Sequence, residues 1–228
     1  SAKARVEESN IGTDVNLKTD LGLEDENFPE GRFIWNTGPN SKLRLFYTQA
    51  KFEGDKAITR SIDFDGKTYT AGAQVSSKLD LQYFGLGWIW EFINVSEGKI
   101  KAGTILEVKG VAGKSALDAP SLALSESEEF LAGLPTGGLV FEINPFKAVK
   151  PYDKKEIWKN FGFYGEIAGM SAGKYGYFFD TEAGVKFDLC KYSSITGGYR
   201  LVSLKAKDSP DYAKIELKGP FVSAAIKF

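Results

Sequence analysis

The chain has 228 residues, and 29 Lys and Arg stand against 30 Asp and Glu. The resulting net charge of -1 argues against nucleic acid as a partner, because a phosphate binder carries a clear positive excess. Histidine is absent and Cys190 is the sole cysteine, which removes Ser-His-Asp and Cys-His catalysis, the HExxH zinc site and any intrachain disulfide framework.

No apolar run approaches the roughly 18 to 20 residues of a membrane helix. No charged-then-apolar leader opens the chain, so the expectation is a mature protein from which any secretion signal has been removed. Residues 1–10 read as a polar N-terminal tail and residues 11–228 as one domain.

That domain is dominated by period-two alternation, which places successive side chains on opposite faces of a strand. Val15, Leu17, Thr19, Leu21 and Leu23 alternate with Asp14, Asn16, Lys18 and Asp20. Phe33 and Trp35 oppose Arg32, Ile34 and Asn36, and Leu43, Leu45 and Tyr47 oppose Arg44, Phe46 and Thr48. Phe84, Leu86, Trp88, Trp90 and Phe92 oppose Gly85, Gly87, Ile89 and Glu91. Ile100 through Val108 on even numbers oppose Lys101, Gly103, Ile105 and Glu107. Leu139, Phe141 and Ile143 oppose Glu142, and Phe161, Phe163 and Ile167 oppose Tyr164 and Glu166. Tyr177, Phe179, Ala183, Val185 and Phe187 oppose Asp180, Glu182, Gly184 and Lys186, and Ile195, Tyr199 and Leu201 oppose Gly198 and Arg200. The pattern ends with Val222, Ala224, Ile226 and Phe228 against Ser223, Ala225 and Lys227. These are about ten strands, many near the 9 to 11 residues of a tilted membrane strand.

Two stretches read differently. Asp65-Gly66 between short alternating runs is a hairpin signal, and its polar arms predict a hairpin projecting into water; two further barrel strands, making about twelve, are the alternative. A short helical turn is expected over residues 125–130. Across Gly219-Pro220 the apolar positions change from odd (Ile215, Leu217) to even, which predicts either a bulge or the end of a membrane span.

Alternation alone does not say which face is outside. Aromatic residues near strand ends resemble the girdles of membrane barrels. The last strand, with Val222, Ala224, Ile226 and a final Phe228, resembles the terminal strand of bacterial outer-membrane β-barrels, where it acts as the signal for the barrel-insertion machinery. The resemblance is to the architecture as a class. It implies an antiparallel up-and-down transmembrane β-barrel of about ten strands, with eight or twelve as alternatives, in the outer membrane of a Gram-negative bacterium. The implied partners are outer-membrane lipid, lipopolysaccharide and the insertion machinery, with room for another cell-surface protein. With an even strand count and both ends periplasmic, the turns near residues 38–39, 95–97, 145–156 and 189–192 fall on the periplasmic side, and those near 24–31, 52–78, 111–128, 169–174 and 206–211 fall outside.

The expected lumen lining is Asp14, Lys18, Asp20, Arg44, Glu91, Lys101, Glu107, Glu142, Glu166, Asp180, Glu182, Lys186 and Arg200. The near balance of sign favours ion pairs that fill a narrow lumen, although glycines on that face (Gly85, Gly87, Gly103, Gly138, Gly184, Gly198) leave room for a small pore. Asp180 and Glu182 form a carboxylate pair, better read as partners of Lys186 or Arg200 than as an acid-base dyad. Asp63-Phe64-Asp65-Gly66 lacks the later ligands of a calcium loop. Cys190 reads as a small side chain near a turn, and the lysines around Tyr152 as a solvated connection. No catalytic, cofactor or metal site is expected. The expected function is that of a non-enzymatic, porin-like barrel with a structural, surface-interaction or narrow-pore role. An outer-membrane enzyme lacking histidine and a soluble barrel carrying a hydrophobic ligand are the alternatives.

Overall fold

The computed structural model describes residues 2–7, 19–23, 29–64, 67–95, 98–145, 160–208 and 211–228. In chain order the strands are β1 (Ala2–Glu7), β2 (Pro29–Gly38), β3 (Ser41–Ala57), β4 (Ile62–Phe64), β5 (Lys67–Tyr69), β6 (Gln74–Val95), β7 (Ile100–Ala119), β8 (Leu124–Ile143), β9 (Phe161–Ser171), β10 (Gly176–Cys190), β11 (Ser193–Asp208) and β12 (Asp211–Lys227). Two short 3-10 turns are described in full, at Pro120–Leu122 and Gly173–Tyr175, and no helix among the described residues is long and apolar enough to cross a membrane.

Nine strands close into a barrel. From β2 through β3, β6, β7, β8, β9, β10 and β11 to β12, every neighbouring pair is antiparallel. An odd count forces the first and last strands to run the same way. The ring therefore closes through a parallel ladder from Val222↔Pro29 to Lys227↔Ile34. This corrects the expectation of an all-antiparallel ring. Phe228 completes the seam: its N–H donates to the Ile34 carbonyl at 2.9 Å, its own carbonyl accepts from the Asn36 N–H at 2.7 Å, and its ring stacks on Phe33. Closure leaves no free edge along this seam.

Three segments depart from expectation. Residues 2–7, read as tail, form β1 on the upper part of β12, from Ala2↔Leu217 to Glu7↔Tyr212. Thr19 to Asp20 and Leu21 form a turn rather than the end of a strand, and Leu21 and Leu23 are buried. Residues 125–130 continue β8 instead of forming a helical turn, paired with β7 from Ser125↔Asp118 to Phe130↔Gly113. Pairing to a long neighbour supplies these backbone groups with partners that a lone turn lacks.

The turns after β2, β6, β8 and β10 share one end of the barrel with Phe228; the connections after β3, β7, β9 and β11 share the other. We call these ends lower and upper. Because β2 and β12 both run downward, the chain enters the barrel from the upper end, whereas both ends were expected at the same, periplasmic end.

Candidate functional site: a charged barrel interior and a reversal of polarity

The same strands change character halfway up. In the lower half the outward positions are apolar: Leu45 and Tyr47 on β3, Phe84 to Phe92 on β6, Leu106 and Val108 on β7, Phe163 and Ile167 on β9, and Val222 and Ile226 on β12 are all exposed. Higher up, without change of register, the outward positions become Gln49, Lys51 and Glu53 on β3, Ser76, Lys78 and Asp80 on β6, and Lys114 and Asp118 on β7. The inward face changes in the opposite sense. Its lower half carries charges, and its upper half carries Ala50, Phe52, Val75, Leu81, Leu117 and Ala119. β12 passes through the same transition. Its pairing to β11 runs unbroken through Tyr199↔Pro220, so Gly219-Pro220 holds no bulge, and Leu217 packs inward against the upper core. The switch of apolar parity there marks the top of the outward apolar belt. On β6 that belt, from Phe84 to Phe92, measures roughly 25 Å along the strand at about 3.3 Å per residue.

The upper core is capped by the chain between β3 and β6. Ile58, Ile62, Tyr69 and Ala73 are buried in it together with Leu21 and Leu23, and the Tyr69 hydroxyl donates to the Leu117 carbonyl at 3.1 Å. The β4–β5 hairpin is thus folded onto the barrel mouth rather than projecting into water. Its apolar residues are too widely spaced for an amphipathic strand, yet they meet on one side once the hairpin closes. Residues 65–66 at its tip lie outside the described residues.

Beneath this cap the charged interior forms one network. Arg44 donates to Glu107 at 2.5 Å and to Glu166 at 2.5 and 2.7 Å, binding β3 to β7 and β9. Lys109 reaches Asp180 on β10 at 2.6 Å and Glu107 at 3.2 Å. Arg200 donates to Asp180 at 2.7 and 3.0 Å and pairs with Glu30. Arg32 pairs with Glu30 and meets Glu182 at 2.7 Å. Tyr83 donates to Asp180 at 2.6 Å, and Tyr164 donates to Glu166 while accepting from Arg44 at 3.2 Å. Every charge in this layer has a partner across the lumen, as burial demands.

The inward glycines bring walls and filling together. A Cβ on Gly85 would lie 2.4 Å from the Phe46 ring, and one on Gly87 would lie 2.4 Å from Glu107. Gly184 and Gly198 pair directly across β10 and β11, each with space for no side chain. The room expected at these positions is thus occupied by Phe46, Glu107 and neighbouring backbone.

Below the network lies a vestibule of about 320 Å³, open at the lower end. Lys42 pairs with Glu91 there, and Lys186 donates to Glu142 at 2.6 Å. Lys101 also lines it.

The expected lining residues divide as follows. Arg44, Glu107, Glu166, Asp180, Glu182 and Arg200 meet in the network, and Glu91, Lys101, Glu142 and Lys186 line the vestibule. Asp20 stands apart at the upper end, paired with Arg60. Asp14 and Lys18 lie outside the described residues, as do the lysines around Tyr152. Sequence reading missed Glu30, Tyr83 and Lys109. Each continues the parity of an identified inward face: Glu30 with Arg32, Tyr83 with Gly85, Lys109 with Glu107.

No protein-family model, curated protein or solved structure matches this chain.

Proposed function

We propose that the chain is a non-enzymatic β-barrel of a bacterial outer membrane, a sealed anchor in its lower half and a surface for molecular contact in its upper half. The observation that carries this reading is the reversal of polarity along β3, β6 and β7. A soluble barrel has no use for a ring of exposed Trp, Phe and Leu around a charged interior, whereas hydrocarbon outside and polar groups inside is the pattern of a membrane barrel. Above the belt the ordinary order of a water-soluble domain returns, which fits a projecting extramembrane half.

The cross-lumen ion pairs and the upper apolar core both favour a closed lumen over a narrow pore. A closed barrel leaves contact as its role, with outer-membrane lipid, lipopolysaccharide, the insertion machinery and another cell-surface molecule as partners. The test is conductance in a planar lipid bilayer, with insertion established by a heat-dependent gel shift. The inserted barrel is expected to be silent. Discrete ion-selective steps would replace the sealed anchor by a pore lined by Arg44, Glu107, Asp180 and Arg200.

A further inference from the structure

The vestibule below the ion-pair network carries more cation than it pairs. Four lysines line it, each from a different strand: Lys42 on β3, Lys101 on β7, Lys186 on β10 and Lys227 on β12. Three carboxylates answer them. Glu91 pairs with Lys42, Glu142 with Lys186, and Asp188 with Lys227 while lying 3.8 Å from Lys186. Lys101 is left over. Its register partner on β8 is Glu142, but both oxygens of that carboxylate are engaged, one by Lys186 at 2.6 Å and the other by the Asn144 amide at 2.7 Å. Among the described residues no carboxylate comes within ion-pair distance of the Lys101 ammonium, although the residue is half-buried. A counter-charge brought to it offsets the cost of that burial.

The layer above has the reverse balance. Arg32, Arg44, Lys109 and Arg200 face Glu30, Glu107, Glu166, Asp180 and Glu182, five carboxylates to four cations. An anion entering from the lower end is therefore drawn as far as the lysines and repelled beyond them. Between the lysines the wall is apolar, formed by Ile34, Ile89, Val140 and Ala225. A single surplus positive charge beside an apolar wall suits a molecule with one negative charge and a hydrocarbon body. The vestibule volume of about 320 Å³ stands at the small end of the range of pockets that hold one ligand molecule.

We propose that the vestibule binds one small organic carboxylate, its charged end on Lys101 and its carbon body against Ile89 and Val140. The inference goes beyond the anchoring role proposed above and assigns the lower interior a site and a ligand class of its own. The site is a dead end, because the charged layer and the apolar core stand between it and the upper half.

Benzoate is titrated calorimetrically into the full chain in a neutral maltoside detergent, with empty micelles as the blank and benzamide as the uncharged counterpart. One saturable benzoate site per barrel is expected, and none for benzamide. Lys101→Met should weaken benzoate binding about tenfold, the loss of one charge-assisted hydrogen bond, with an unchanged heat-dependent gel shift. Lys101→Arg keeps the cation and should keep most of the affinity. Lys114→Met removes an exposed lysine of the upper half and should leave binding unchanged. No saturable benzoate binding to the folded wild-type chain, equal binding of benzamide, or equal affinity in Lys101→Met would overturn the site. The titration needs no bilayer, so the site and the membrane reading stand or fall separately.

Discussion

Lys109 and Asp180 meet at 2.6 Å across the barrel interior, from β7 and β10, which are not neighbours in the sheet. Lys109 is wholly buried and Asp180 nearly so. The contact ties opposite walls together and occupies the line along which an ion would pass. Lys109→Met leaves Asp180 with Arg200 and Tyr83 but deprives Glu107 and Asp180 of a shared cation. The expected loss is about 3 to 5 kcal/mol, typical of breaking a buried pair from one side. Lys109→Met with Asp180→Leu should cost less than the sum of the two single changes. Urea unfolding of all three variants in lipid vesicles checks this, and strict additivity would mean that the pair is not coupled.

Leu106 and Ala112 both face outward on β7, one within the apolar belt and one above it. Leu106 is 57 % exposed, a poor position for leucine in water and a good one in hydrocarbon. Leu106→Arg should destabilise the lipid-folded barrel by about 2 to 4 kcal/mol, while Ala112→Arg should change it by less than about 1. The comparison within one strand removes differences of register and neighbour. Equal effects from the two substitutions would contradict the boundary drawn between them.

Gly85 lies under the Phe46 ring, with no space for a Cβ. Gly85→Val should therefore strain the lumen filling and cost about 1 to 3 kcal/mol, in the range for overpacked interiors. Phe46→Ala, added to Gly85→Val, vacates the space and should recover part of the loss. Absence of any recovery in the double variant would show that Gly85 is required for a reason other than this contact.

Cys190 ends β10 at the lower turn, where its sulfur lies 3.1 Å from the Ser193 hydroxyl. With the contact-bearing upper half placed outside the cell, the lower end faces the periplasm. A membrane-impermeant maleimide should therefore leave Cys190 unmodified on intact cells and modify it after the outer membrane is opened. Lys114→Cys, placed in a Cys190→Ser background, should react on intact cells. The reverse pattern would invert the topology.

The lower half of the fold was legible in the sequence because each strand there carries one uniformly apolar face, and period two fixes which side chains share it. The upper half was less legible for a physical reason. The strands keep their register while their surroundings exchange, so Phe52, Leu81 and Leu117 fall on the face that is charged lower down. Read alone, such a stretch has lost its pattern. The lid shows the same difficulty: Ile58, Ile62 and Tyr69 stand among polar neighbours, and closure of the chain between β3 and β6 is what gathers them. Parallel closure depends on the odd strand count of the ring; of the strand expected over residues 14–23, the described residues Thr19 to Leu21 form a turn.

The central claim is that the outward belt meets hydrocarbon and the strands above it meet water. A nitroxide scan along one face of β6 tests it most directly, in a Cys190→Ser background reconstituted in lipid vesicles. Leu86→Cys, Trp90→Cys and Phe92→Cys carry the label within the belt, and Ser76→Cys, Lys78→Cys and Asp80→Cys carry it above. The account predicts that oxygen relaxes the first group while a water-soluble nickel chelate does not, and that the second group responds in the opposite way. Uniform access of the nickel chelate along the whole strand would contradict it.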